Sequence, residues 1–546
     1  MRIPRFGDGR DWFFEKRFGL FLHWGLYAIP AWHEQHLYRL GLTRAEYAKL
    51  IHEFDPVRFD PDQWLDLAEE AGMEYVCFTT KHIDGFCLWD TAQTDYNVMN
   101  TPYAKDVLAM LADACHRRGF PLCLYYSKVD EHHPNFPNAG GPYELPGPEA
   151  GDEPDLEKYK AFVKEQVREL CTNYGELGGF WWDVQVFEHS DPSFNELIRS
   201  LQPNAVINDR GFSEGDFDTA ERDWSKPADE LLAFERPMEA CQSVGMESWG
   251  YKEDEDYYTV PYLLQSLDKI LAKGGNYLLN VGPTSEGLIP QPSVERLKEV
   301  GKWMKVNGEA IYGTTASPFK QLPWGRCTKK ALLVSTKLYL HVFTWPTDGK
   351  LLAPGLRSAV EQAYLLADAK GTPLATEATD QGLVVSVPAK APDSLSSTVV
   401  LRLKGDPDIE PVLLTQKEDG TLALPALEAV VHGDTAQYES GGGKDNIGFW
   451  LNPNDWVEWQ FKATQTGKFD VTAEIASQGT GSFELRLGNQ KLKGTAPNTG
   501  DYTKFRKVSL GTLEIRESGK ASLEVRPVAA GWQPINLKSV TFKPAR

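Results

Sequence analysis

The chain has 546 residues, too many for one core, and two to four domains are expected. Apolar residues make up 41% and charged residues 25%, ordinary globular usage that excludes disordered and fibrous classes. A net charge of −20 with no Lys/Arg-rich run excludes nucleic acid as a partner, and no apolar run reaches the roughly 20 residues that span a bilayer.

In chain order, residues 18 to about 310 alternate short apolar runs with amphipathic stretches, as βα units around a parallel sheet do. The predicted strands are Phe18–Leu22, Tyr75–Phe78, Leu122–Tyr126, Phe180–Trp182, Ala205–Ile207 and Tyr277–Leu279. The predicted helices are Asp62–Gly72, Asp106–Gly119, Leu156–Tyr174, Ser193–Leu201, Val260–Lys273 and Val294–Asn307. Each apolar run is followed by polar residues: His23, His82 with Asp84, Ser127, Asp183, Asp209 with Arg210, and Asn280. In a closed (β/α)8-type, TIM-like barrel all strands end at one mouth, so these groups would converge. The competing doubly wound sheet gathers groups at one switch point and commonly carries a Gly-rich phosphate loop, which this sequence lacks.

After Gly313 the pattern becomes short and strand-like, as in Leu332–Val334, Leu338–Phe343, Leu383–Val387 and Val399–Leu403. Period-two alternation then recurs from Trp456–Phe461 to Ile535–Phe542. The expected organisation is α/β followed by all-β: a catalytic barrel over 1–315, a β-sandwich over 316–405, a linker over 406–425 and a second β-sandwich over 426–546. Seven cysteines, an odd number without a CxxC pair, read as buried free thiols.

Among many carboxylates, Asp183 stands out because it ends Gly179-Phe-Trp-Trp-Asp183, where two indoles, Trp181 and Trp182, would strip water from it. A plain helix cap is the bland alternative. Glycoside cleavage needs a second carboxyl, about 5 Å from the first in a retaining enzyme. Glu221 is the first candidate and Glu239 the second, although most glutamates are ordinary surface residues. His33 and His36 flank Glu34, and His132 and His133 are adjacent, but no HExxH or Cys/His quartet accompanies them, so no metal or cofactor is expected. No GxSxG elbow supports a serine hydrolase. His23 and His82 fit better as hydroxyl-binding groups in a polar pocket, with a buried structural histidine as the alternative.

Several long stretches then occur in one order: RFGLFLHWGLYAIPAW (17–32), AGMEYVCFTTKHIDGFCLWDT (71–91), LYYSKVD (124–130), WWDVQ (181–185), INDRG (207–211), GDFDTAER (215–222), MEACQSVGMESWGY (238–251) and GGNYLLNVGPTSEG (274–287). Over roughly residues 12–315 these resemble the retaining α-L-fucosidases of glycoside hydrolase family 29. The resemblance implies Asp183 as nucleophile and Glu221, in TAER, or Glu239, in MEAC, as acid/base. It also implies Arg210 beside the acid/base, and His23, Trp32, Glu34, His82, Trp181 and Trp249 as the sugar-binding set. A fucosylated oligosaccharide or glycan is the implied partner, and a periplasmic or secreted location is expected if a leader has been removed.

Three departures bear on substrate. The family's His-His-Asp is His82-Ile83-Asp84, the loop HEQHLYR (33–39) loses a Trp, and Glu131 stands where Trp is frequent. The rivals are therefore an exo-glycosidase for a related L-sugar, such as L-galactose or a modified fucose, and a weakly active carbohydrate-binding protein. The last module resembles a galactose-binding-like carbohydrate-binding sandwich, in which Trp450, Trp456, Trp459 and Trp532 are candidate sugar platforms, with core packing as the alternative.

Overall fold

A computed structural model describes residues 3–184, 191–222, 233–410, 412–439 and 445–545. Gln185, the last residue of the WWDVQ motif, lies outside them. Contact density divides the chain into two compact units that meet in sequence at Ile409 and Glu410.

The first unit begins with an eight-stranded parallel sheet: β1 (Phe18–Leu22), β2 (Tyr75–Lys81), β3 (Leu122–Ser127), β4 (Gly179–Asp183), β5 (Val206–Ile207), β6 (Asp218–Glu221), β7 (Met238–Ser243) and β8 (Asn276–Val281). The spatial order is β5-β4-β3-β2-β1-β8-β7-β6, so the edge strands are consecutive in the chain. Those edges meet through an isolated parallel bridge between Asn208 and Phe217 and through the Asp216 N–H donating to the Ile207 carbonyl at 2.7 Å. Strands β1, β2, β3 and β8 are buried along their whole length, as expected of parallel strands covered on both faces.

Six of the eight strands fall on the predicted apolar runs. The other two, β6 (DTAE) and β7 (MEACQS), are too polar to read as buried strands. The six predicted helices are found to within three residues, while the short helices Trp12–Lys16, His36–Leu40 and Arg44–Tyr47 were not expected. Their boundaries are locally encoded. Pro61–Ala71 starts after Asp60, whose side chain accepts from the Asp62 N–H, and stops at Gly72 with φ 82°.

One face of the sheet packs on the helices in the largest apolar core. The other face carries a second cluster made of alternate strand residues, including Phe21, Cys77, Tyr125, Trp181, Cys241 and Leu278. All seven cysteines are buried free thiols.

Beyond the parallel sheet, a four-stranded and a three-stranded antiparallel sheet share one core, to which Leu338, Leu340, Leu351, Val385, Val399 and Leu401 contribute. Leu332–Val334, expected as a strand, is instead the connection between Gly325–Ala331 and Ser335–Val342, and Leu333 is fully exposed. The register pairs Ala331 with Thr336, so the intervening residues must turn despite their hydropathy.

The second unit holds two six-stranded sheets around a core of its own. Part of the expected linker 406–425 belongs to it: Leu414–Thr415 pairs with Trp456–Ala463, and Leu422–Pro425 pairs with Asn536–Pro544. Leu422 and Leu424 are wholly buried there, a pattern too short to register as a strand in sequence. Trp450 and Trp459 are also fully buried, which removes both as sugar platforms. Trp456 stacks on His432 at 3.8 Å and lies 3.7 Å from the Arg526 guanidinium. Among the described residues no helix is long and apolar enough to cross a membrane.

Candidate active site

A pocket of about 270 Å³ opens at the carboxyl ends of the parallel strands. That is just below the roughly 300–1,000 Å³ of drug-sized ligand sites, so it has room for one sugar ring rather than a chain. Of the ten residues expected in the site, eight line it: His23, Glu34, His82, Trp181, Asp183, Arg210, Glu221 and Trp249. Trp32 and Glu239 do not.

Asp183 is the last residue of β4, and among the described residues the next helix is Ser193–Leu201, which has Pro192 at its N-cap. Its Oδ1 accepts from Arg210 Nη1 at 2.8 Å and its Oδ2 from the Tyr125 hydroxyl at 2.6 Å. Burial opposes the charge on Asp183, but the Arg210 guanidinium and the Tyr125 hydroxyl outweigh it and hold the carboxyl below the usual aspartate range. The ionised carboxylate therefore persists across neutral pH.

Arg210 is held in turn by Nε donating to Thr219 Oγ1 at 2.8 Å, and its guanidinium carbon lies 5.0 Å from the Trp181 ring centre. Its remaining arm reaches Glu221 Oε2 at 3.3 Å. One guanidinium thus spans Asp183 on β4 and Glu221 on β6. The residues after both carboxylates, Val184 and Arg222, have φ of 63° and 59°. A β-branched residue in that region is a true outlier, of the sort that collects where function fixes the backbone.

Glu239 lies beneath the pocket. Its Oε1 accepts from Trp181 Nε1 at 2.9 Å, and its Oε2 bonds the Tyr75 hydroxyl at 2.6 Å. Burial pushes its carboxyl up to about 7 against the pull of those two bonds. Tyr75 reaches it by crossing Gly19 of β1, where a Cβ would stand 2.4 Å from the ring.

The sugar-binding candidates form the walls. His23 donates from Nδ1 to Asn280 Oδ1 at 2.7 Å, an orientation set by Asn280 Nδ2 donating to the Trp249 carbonyl, so Nε2 is left as an acceptor. Burial lowers the His23 ring to about 3 and lowers His82 as well, so both are neutral at pH 7. His82 Nδ1 is buried and has no hydrogen-bond partner among the described residues, a group suited to a ligand hydroxyl. Burial also opposes charge on Glu34, yet the His33 and His82 rings and its hydrogen-bond donors outweigh it and hold the carboxyl below the usual range. Because burial keeps those rings neutral near pH 7, the lasting support comes from the Ser248 hydroxyl at 2.8 Å and the Trp249 and Gly250 N–H groups at 2.9 and 3.3 Å.

Trp249 has its ring 5.3 Å from His23 and 4.8 Å from the Arg222 guanidinium. Trp32 is exposed and packs against His33 and His36 instead of entering the pocket. Ile83 does line the pocket, while Asp84 turns away and accepts from the Tyr47 hydroxyl at 2.7 Å.

Sequence reasoning missed Tyr125 and Tyr143, which also line the pocket. The signal for Tyr125 was strand period: it lies two residues before Ser127, as Trp181 lies two before Asp183 and Phe21 two before His23.

The α-L-fucosidase family model matches residues 8–309. Tissue α-L-fucosidase of Mus musculus is 29% identical over 431 residues, covering 72% of this chain and 91% of its own length. An α-L-fucosidase structure from Vibrio sp. strain EJY3 has a TM-score of 0.73 at 24% identity and covers 98% of both chains, a likeness of fold. A family 29 α-L-fucosidase of Bacteroides thetaiotaomicron, solved as a trapped covalent intermediate in complex with 2-fluoro-fucosyl fluoride, has a TM-score of 0.65 at 27% identity and covers 74% of this chain and 98% of its own. With more than half the chain matched by the family model, and eight of ten expected residues around one pocket, this protein belongs to the α-L-fucosidase family.

Proposed function

We propose that the protein hydrolyses terminal α-L-fucosyl residues with retained configuration, using Asp183 as nucleophile and Glu221 as acid/base. The observation that carries this is Arg210, which bonds Asp183 and Glu221 at the same time beside a pocket sized for one ring. Retaining enzymes set two carboxyls about 5 Å apart, a span one guanidinium can bridge.

In the first step an Asp183 oxygen attacks the anomeric carbon while Glu221 gives its proton to the glycosidic oxygen, and the leaving group departs. A water then loses a proton to Glu221 and attacks the same carbon, breaking its bond to Asp183. Both steps run on carboxylates and water. The covalent intermediate trapped in the Bacteroides relative supports this sequence of events. Glu239 fits a supporting role, because it does not line the pocket and both its oxygens are engaged by Tyr75 and Trp181.

We also propose that the parallel sheet closes into a barrel. The Asn208–Phe217 bridge and the inner cluster of alternate strand residues support closure.

Asp183→Asn is expected to lower kcat on an aryl α-L-fucoside on the order of 10⁴-fold. Undiminished turnover would refute the assignment. Glu221→Ala is expected to lose about 10²–10⁴-fold and to recover with azide, yielding a glycosyl azide visible by NMR.

Ile83 favours one second reading, an L-sugar other than fucose, because an apolar wall stands where the family places a histidine. A panel of aryl L-glycosides decides it by comparing kcat/KM.

A further inference from the structure

The residues around the pocket are not equally accessible. Among the described residues that line it, Glu221 and Tyr143 are exposed, whereas the others are buried or half-buried. Among the described residues, these two side chains flank the opening of the pocket to solvent. In the reaction proposed above, Glu221 protonates the oxygen of the departing group, so the departing group must lie on Glu221's side of the ring, at that opening.

Tyr143 is held there by its loop. The segment between β3 and the helix Leu156–Asn173 is pinned by Arg44, whose guanidinium bonds Asp152 at 2.8 Å and whose N–H donates to Glu149 at 2.7 Å. At its tip the Glu144 carboxylate accepts from the N–H groups of Ala139 and Gly141, and the Gly140 N–H donates to the Leu145 carbonyl at 3.0 Å. Tyr143 projects from this turn with φ 63°, a conformation a tyrosine adopts only when its surroundings impose it. Burial pushes its phenol up, and Glu221 is foremost among the charges that push it further, as fits a ring beside the acid/base. Tyr38 stands next to it with ring centres 6.3 Å apart.

An exposed aromatic face beside a sugar cleft has one chemical use that matches the opening. The C–H face of a pyranose carries small positive charge and packs on the negative face of an aromatic ring.

Resting on the fucosidase reading, we infer that Tyr143 is a specificity-determining residue, the stacking platform on which the pyranose ring of the leaving group packs beside Glu221. Fluoride, as a leaving group, offers nothing to stack. The test compares an α-L-fucosyl-galactose disaccharide with α-L-fucosyl fluoride on the full-length protein. In Tyr143→Ala the ratio of kcat/KM on disaccharide to kcat/KM on fluoride is expected to fall at least tenfold, mainly through KM on the disaccharide, and Tyr143→Trp is expected to restore it. An unchanged ratio in Tyr143→Ala overturns the subsite, whether both activities fall together or neither does. A wild-type protein inert toward fucosyl fluoride overturns the fucosidase reading instead, and so the two failures are distinguishable.

Discussion

Two glutamates competed for one role, and their surroundings separate them. Glu221 is exposed at the mouth and tied to Arg210, whereas Glu239 is buried with Tyr75 and Trp181 on its oxygens. Burial holds Glu239 neutral up to about 7, and its protonated form can donate to the Tyr75 oxygen while accepting from Trp181, a pattern Gln reproduces. Glu239→Gln should therefore retain turnover, while Glu221→Gln should not; an azide-rescuable loss in Glu239→Gln would reverse the roles. The pH dependence has a definite sign. A carboxyl raised from 4.5 to about 7 on folding contributes stability that is complete below pH 4.5 and is lost as pH rises through about 7. For so buried a group the loss is about 3 kcal/mol. Thermal melts should show Glu239→Gln more stable than wild type at pH 8, with the gap closing toward pH 4. His23 works on the other flank, since a ring depressed from 6.5 to about 3 contributes stability present above 6.5 and lost as pH falls toward 3.

At the scale of elements, the parallel strands explain what a sequence pattern could and could not reveal. Because both faces of β1 to β3 are buried, their runs are uniformly apolar and easily found, but they do not announce which residues face the pocket. Tyr125 was hidden in such a run. Polar β6 and β7 were missed for the opposite reason, though they carry both glutamates. Helix packing behind the sheet is tight enough to test. Gly301 of the helix Gln291–Asn307 lies against the helix Pro61–Ala71, where a Cβ would stand 1.9 Å from the Glu70 carbonyl oxygen. Gly301→Ala should cost about 1–3 kcal/mol of stability by forcing the helices apart. It should lower Tm without changing KM, because the contact lies behind the sheet rather than at its carboxyl-terminal end.

Across the whole molecule, each compact unit has its own apolar core. Separate cores of this size commonly unfold separately. Calorimetry should resolve two transitions. Trp459→Ala, which empties a fully buried site in the second unit, should lower one of them by about 3–5 kcal/mol while hydrolysis of an aryl fucoside continues at the wild-type rate. A single transition that shifts as a whole would argue against independent units.

The sequence alone determined the βα alternation and the family, and it singled out Asp183, Arg210 and six others that line the pocket, because these rest on local hydropathy, caps and contiguous motifs. Tertiary structure decided which glutamate shares Arg210 with Asp183, that Trp32 stays outside the pocket, that residues 414–415 and 422–425 join the last module, and that Tyr143 lines the pocket. These depend on the direction in which a side chain points after distant strands and loops come together. Such directions arise from packing across the sheet, which no stretch of neighbouring residues encodes.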